Sequence, residues 1–290
     1  MFNNLKCRMK MRSFVIAGLF GAFVIGAWWF WNYHEDMRNL VTQYVENGEI
    51  VTLEARFTPQ QIMDLHRAEL LGDDQRAFKD PSLKFHPYLF MEVKFTQPDK
   101  KSREGVVLWS LVEGEMVMNT QTWEKTHGFE DSINAGATRE DFKVMNALAQ
   151  NRGSMSREKL RQVLNLEEEI IEPWIDSARQ KHLIIQRGND LQLHFQNPKI
   201  LVSPQTKIFH RLVTKPYDHT QRVSRKYSQR QVEKIAQAAF GQDFAIRTVK
   251  EVYLPVYRIE VANPDGSVMT SYWNALTGQQ LQTSYLADAA

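Results

Sequence analysis

From Ser13 to Trp31 the chain reads SFVIAGLFGAFVIGAWWFW, 19 residues without a charge. At about 1.5 Å rise per residue, a helix of that length covers roughly 29 Å, matching a hydrocarbon core of about 30 Å. A cleavable signal peptide has an apolar region of about 7–15 residues and ends in a small-x-small site. This stretch instead runs into Trp28, Trp29, Phe30 and Trp31, with Tyr33 following. Such amphipathic rings suit the membrane–water interface. The expectation is an uncleaved signal-anchor over residues 13–31. Lys6, Arg8, Lys10 and Arg12 precede it, and His34, Glu35 and Asp36 follow. Positive-inside logic then leaves residues 1–12 in the cytoplasm and the bulk of the chain outside.

Gly18, Ala22 and Gly26 recur every four residues along this segment, a stripe on which a second membrane helix could pack. Gly and Ala are common in membrane helices in any case, so both readings stand. Cys7 is the only cysteine and lies on the basic side of the anchor. Disulfides, thiolate metal sites and cysteine nucleophiles are therefore excluded from everything after it. Without the four N-terminal cations, 32 of the 36 basic residues remain against 34 acids. That balance is not the basic face of a nucleic-acid-binding protein.

The rest of the chain, long enough for two or three modest domains, contains two segments that align. Phe57-Thr58-Pro59-Gln60-Gln61-Ile62 and Tyr227-Ser228-Gln229-Arg230-Gln231-Val232 each open a helical pattern behind a good N-cap, Thr58 or Ser228. About thirty residues further on, Pro87 to Val93 and Pro255 to Val261 both begin with Pro and end in Glu-Val. Both then run into a Pro-Asp turn, Pro98-Asp99 or Pro264-Asp265. Trp109 to Val117 next aligns without a gap on Trp273 to Leu281, bringing Gly114 and Gly278 to the same place in a turn. Each unit reads as helix, strand, turn, strand, Gly turn and short strand, with the helix lying over the sheet.

The second unit resembles the PepSY family, through the helix Gln231 to Phe240, the strand Val252 to Val261, the Asp265-Gly266 turn and the closing Trp273-Asn274-Ala275-Leu276-Thr277-Gly278. The family closes with Asp-Ala-x-Thr-Gly, so Asn274 replaces its usual acid. The resemblance covers roughly residues 225–285 and implies an extracytoplasmic binding or inhibitory module from a bacterium, with no catalytic residues to carry over. The first unit, about 55–120, shares it only through the internal repeat, with Glu113 in place of Thr277.

Between the units the rhythm changes. Phe142, Met145 and Leu148 are spaced for one helix face, and Ser156 caps a second helix carrying Leu160, Val163 and Leu164. Asn165 is placed to cap a third, with Glu168 as its capping-box partner. Two strands follow about the Gly188-Asn189-Asp190 turn. This order resembles the winged-helix family. Its third helix opens with Glu167, Glu168 and Glu169 and continues with Glu172 and Asp176, acids that would face phosphates in a DNA complex. Pro173 within it marks a kink or a restart.

The eight histidines show no metal spacing, and no nucleophile elbow, Walker loop or dinucleotide fingerprint appears. Asp73-Asp74 reads as a turn after Gly72. No catalytic, cofactor-binding or metal-ligating residue is assigned, and no cofactor is expected. From Lys199 to Lys234 there are nine basic residues against Asp218 and Glu233. Within that stretch Arg222, Arg225, Lys226 and Arg230 are either part of a solvated linker or a docking patch for an acidic partner.

The fold class expected is α+β, with a transmembrane helix and two PepSY-like units flanking a winged-helix-like module. The divisions are 1–12 cytoplasmic, 13–31 membrane, 32–135 first unit, 136–198 middle module, 199–226 basic linker and 227–290 second unit. The expected function is a single-pass protein of the bacterial inner membrane that binds another envelope protein within a membrane assembly. The alternatives are a membrane-tethered winged-helix transcription regulator and an envelope peptidase regulator or enzyme. The sequence does not decide whether a small molecule binds.

Overall fold

The computed structural model describes residues 48–281, apart from 73, 74 and 98. The anchor over residues 13–31, its stripe of Gly18, Ala22 and Gly26, the Asp73-Asp74 turn and Pro98 lie outside the described residues. Among the described residues no helix is long and apolar enough to cross a membrane.

The chain from Glu49 is mixed α+β with a curled sheet. It begins with β1 (Glu49–Leu53), α1 (Pro59–Leu65), α2 (Arg67–Leu71), β2 (Ala77–Phe78), β3 (Ser82–Thr96), β4 (Ser102–Ser110), β5 (Met116–Asn119) and β6 (Glu124–Lys125). A middle section follows with α3 (Phe129–Asn134), α4 (Arg139–Gln150), β7 (Ser154–Ser156), α5 (Arg157–Leu164), α6 (Glu168–Gln180), β8 (Ile184–Arg187) and β9 (Asp190–Leu193). The chain then closes through β10 (Leu212–Pro216), α7 (Gln229–Phe240), β11 (Ala245–Ala262), β12 (Val268–Asn274) and β13 (Gln280–Leu281).

Local chemistry sets the helix starts. Thr58 Oγ1 accepts from the Gln61 N–H while the Gln61 side chain accepts from the Thr58 N–H at 2.8 Å. Ser228 and Gln231 make the same reciprocal pair at the head of α7, so two orphan amides of each helix are satisfied, and Pro59 removes a third from α1. Asn165 departs from expectation. It stands at the C-terminal end of α5 in the left-handed conformation (φ 50°), and Glu167 opens α6 without a side-chain cap. The short connection between these helices demands a positive φ, which Asn tolerates, and this use takes precedence over capping. Pro173 sits inside a helix that continues through it.

The two aligned units build one sheet. Its path is β10-β1-β11-β3-β4-β5-β6, with β12 and β2 also on β11 and β13 on β12. The centre is the antiparallel pair of β3 and β11, from Ala245↔Lys94 to Pro255↔Phe85. β11 is long enough to change partners along its length: its first half pairs with β3 and its second half with β12, while β1 and β2 also bond to it. Both faces of β3 are covered. Leu89, Met91 and Val93 point into one core with Trp109, Phe129, Phe142 and α7, while Tyr88 and Phe90 enter a second with Leu108, Val252, Leu254 and Leu276.

In the middle section β7-β9-β8 form a small sheet beside α4, α5 and α6. The sequence-predicted face Phe142, Met145 and Leu148 is buried, in the same core as Trp109 and Leu89.

Each unit's helix packs on the other unit's strands. Ile62 and Met63 of α1 share a core with Ile259, Val261 and Trp273, and His66 stacks on Trp273 at 4.4 Å between ring centroids. Val232, Ile235 and Ala236 of α7 share a core with Leu89, Met91 and Trp109. The entry residues cross over in matching fashion. The N–H groups of Arg56 and Phe57 both donate to Ala275 O, and those of Lys226 and Tyr227 both donate to Leu111 O.

Candidate functional site

The matching turns that receive these crossing segments carry a repeated set of backbone bonds. Ser110 N–H donates to Glu115 O and Gly114 N–H to Ser110 O, while Asn274 N–H donates to Gln279 O and Gly278 N–H to Asn274 O. Leu111 N–H reaches Pro87 O, and Ala275 N–H reaches Pro255 O, both at 3.1 Å. The first residue of each turn also caps it from its side chain. Ser110 Oγ accepts from the Val112 and Glu113 N–H groups, and Asn274 Oδ1 accepts from the Leu276 N–H at 2.8 Å. Gly114 and Gly278 hold φ of 73° and 69°, and a Cβ on Gly114 would meet Tyr227 at 3.0 Å. Glycine is needed there both for the conformation and for the ring of the exchanged segment.

The two turns open onto one cleft of about 1050 Å³. Its walls come from the first turn (Glu113, Glu115), from β6 and the run to α3 (Glu124, Lys125, His127, Glu130), and from residues 196–199. Residues 224–226 and the second turn with β13 (Asn274, Thr277, Gln279, Gln280) complete it.

The carboxylates divide into two kinds. Glu115 is structural: it accepts from Thr126 Oγ1 at 2.6 Å and from the Gly128 and Glu130 N–H groups at 2.8 and 3.1 Å, tying β5 to the start of α3. Burial raises its pKa above the ordinary value, and these bonds oppose the rise. Glu113 faces the cleft and pairs with Lys125 at 2.7 Å. Burial pushes its pKa up to about 6, against the pull of Lys125. The remaining charges are matched, Glu124 with Lys199 at 3.3 Å and Glu130 with Lys226 at 3.1 Å. A lining so balanced is no trap for a polyanion.

Glu113 carries a pH signature. A carboxyl whose folded pKa lies above its unfolded value favours the protonated fold, so its contribution is lost as pH rises from about 4.5 to about 6. From pH 4 to 7 the wild-type chain should lose about 2 kcal/mol relative to Glu113→Gln. Urea unfolding of both proteins across that range measures the difference, and parallel profiles would show that the carboxyl is not buried.

The four cations singled out from sequence are not brought together as one patch. The Arg222 guanidinium lies between the rings of Tyr217 and Tyr253 and bonds both hydroxyls. It also reaches Glu251 of β11 at 3.4 Å, and Arg225 approaches the same carboxylate at 3.9 Å. Both side chains are largely covered, at 11% and 15% exposure. Lys226 and Arg225 line the cleft, whereas Arg230 stands exposed in the first turn of α7, outside the lining. The stretch around them, read as a basic linker, adds β10 to the edge of the sheet beside β1 and buries Ile200 and Thr206. Carboxylates of β11 and α3, Glu251 and Glu130, pair with Arg222, Arg225 and Lys226 of that stretch.

Sequence reasoning missed Glu113 and Asn274 as site residues. The signal was present in the alignment of the two turns, where these are the positions that depart from the PepSY pattern. Among the described residues no group of three or more His, Cys, Asp or Glu is arranged to hold a metal. The sheet, its exchanged helices and the shared cleft define a mixed α+β protein with a cleft of mixed polar and apolar lining where its two aligned units meet. Comparison with protein-family models, curated proteins and solved structures found no match to this chain.

Proposed function

We propose that this chain is a single-pass, membrane-anchored extracytoplasmic protein that binds another envelope protein as part of a membrane assembly. The observation that carries the reading is the cleft, built jointly by both Gly turns and lined by matched ion pairs and side-chain amides. Surfaces that mix apolar area with paired charges suit protein contacts, where complementarity sets specificity. The uncharged segment of residues 13–31 supplies the anchor and the orientation. In the finer reading, the two aligned units are PepSY-like and the middle section is winged-helix-like.

A transcription regulator is the second reading, favoured by the order α4-β7-α5-α6-β8-β9 and the small three-stranded sheet. Two features weigh against it. Glu168 and Glu169 stand exposed in the first turn of α6, where a recognition helix would meet phosphates. The helices also share one core with β3, β4 and α7, which ties them to the rest of the protein.

Alkaline phosphatase or a cytoplasm-only fluorescent protein fused after Ala290 separates the readings. The expected result is an active phosphatase and a dark fluorescent fusion. The reverse would overturn the extracytoplasmic assignment and restore the regulator.

A further inference from the structure

We propose that the outer edge of β12 takes an added strand, an extended uncharged segment of a partner protein that carries serine or threonine where the first unit uses Thr206. The inference rests on the protein-binding reading and places a second contact outside the cleft lining. Asn274 N–H bonds Gln279 O while Ala275 N–H bonds Pro255 O, so the even-numbered residues of β12 turn their peptide groups away from β11. On that outer side β13 meets only Tyr272 and Trp273. Among the described residues nothing bonds the N–H or C=O of Val268 and Thr270. The edge is open to solvent, with Val268 41% and Met269 38% exposed.

The first unit shows what such an edge accepts. Leu108↔Val117 and Tyr272↔Leu281 pair in the same register, which sets Val106 against Thr270. A segment from far along the chain covers the first of these places. Thr206 N–H donates to Val106 O at 2.7 Å, and its hydroxyl accepts from Leu108 N–H at 2.8 Å and donates to Val117 O. No described residue does the same for Thr270. Unpaired strand edges are ordinarily blunted by charge or proline. β10 ends in Lys215 and Pro216, and the start of β4 beyond the reach of β5 carries Arg103 and Glu104. From Val268 to Trp273 the strand has neither device, and its alternation puts Val268 on one face and Met269 on the other. A charged residue beside either would lose water against an apolar neighbour, so the complement is an uncharged strand. A second copy of this chain offers only the same few residues, a contact far below the size of a stable interface.

The test places a photoreactive residue at Val268 of the full chain in intact cells and reads the protein adduct formed on illumination. Capture alone does not decide the mode, so the adduct is compared across changes at the edge. Thr270→Val keeps the outward N–H and should leave the yield unchanged. Thr270→Pro removes that N–H, which β11 does not use, and should lower the yield by about tenfold or more. Met269→Lys, a charge at an exposed position on the same edge, should lower it likewise and decides alone if the proline variant does not fold. Equal yields from Thr270→Val and Thr270→Pro, or an unchanged yield from Met269→Lys, would overturn the proposal. An adduct joining two copies of this chain would overturn it as well. A second photoreactive position at Gln279, exposed on the cleft, separates the two levels of the argument. A protein adduct from Gln279 alone overturns the strand addition and leaves the assembly reading standing. Adducts from neither position overturn both.

Discussion

Between pH 7 and pH 4 the wild-type protein is expected to lose about 3 kcal/mol more unfolding stability than a His86→Leu variant. His86 lies on β3, in a run of seven consecutive buried residues from Phe85 to Met91. It is 2% exposed, and its Nε2 has no partner. Burial pulls its pKa down to about 4 from 6.5, and the nearby Lys125 and Lys84 add to the effect. The fold therefore favours the neutral imidazole. That contribution is complete above pH 6.5 and is lost as pH falls through about 4, at about 1.4 kcal/mol per pH. Glu113 acts with the opposite sign between about 4.5 and 6, so the raw wild-type profile blends the two. Subtracting the His86→Leu profile isolates the imidazole, since both proteins keep Glu113. Urea midpoints at pH 7, 6, 5 and 4 give the comparison. Profiles that run parallel, or an NMR titration of His86 near 6.5, would mean that the ring is solvated and that β3 is not covered on both faces.

That double covering was written in the chain and is easily misread. Tyr88-Leu89-Phe90-Met91 is an unbroken apolar run, the mark of a strand buried on both sides, whereas a helix over a one-faced sheet predicts alternation. What could be read correctly was short in range. Thr58, Ser156 and Ser228 accept at the heads of their helices, because a cap needs only a hydroxyl and an amide three residues on. Phe142, Met145 and Leu148 are buried as their spacing predicted, because a helix face is a local property. Asn165 shows the limit: the same residue type serves a helix start or a left-handed stop, and the length of the connection decided between them. The site lay further beyond reach. The alignment of the two Trp-to-Gly turns set Glu113 against Thr277 and Asn274 against Ser110, but pattern alone does not bring two turns 164 residues apart to one cleft. The pairing of Glu251 with Arg222 and Arg225 was hidden for the same reason.

The exchange of helices yields the second large effect. Ile235→Ala in α7 should cost about 3 kcal/mol, as expected for truncating a fully buried branched side chain. Where the loss is felt distinguishes exchange from its absence. If α7 covers the strands of the first unit, amide protection should fall most at Leu89 to Phe95 and Val107 to Trp109, which share its core. Ile259 and Trp273, in the core beneath α1, should be affected less. Ile62→Ala should reverse the pattern. Native-state hydrogen exchange resolves the two regions, because local openings report separately until the global limit is reached. A helix folded back on its own unit would make Ile235→Ala weaken Ile259 and Trp273 first. The exchange also explains why Gly114 and Gly278 are both required. Tyr227 and Phe57, the residues that carry each helix across, press their rings against the opposite glycine, at 3.0 and 3.4 Å from the position a Cβ would take. Helix docking and the shape of the cleft-forming turn are therefore one contact made twice. A change in either helix should alter the wall on which Glu113 or Asn274 stands.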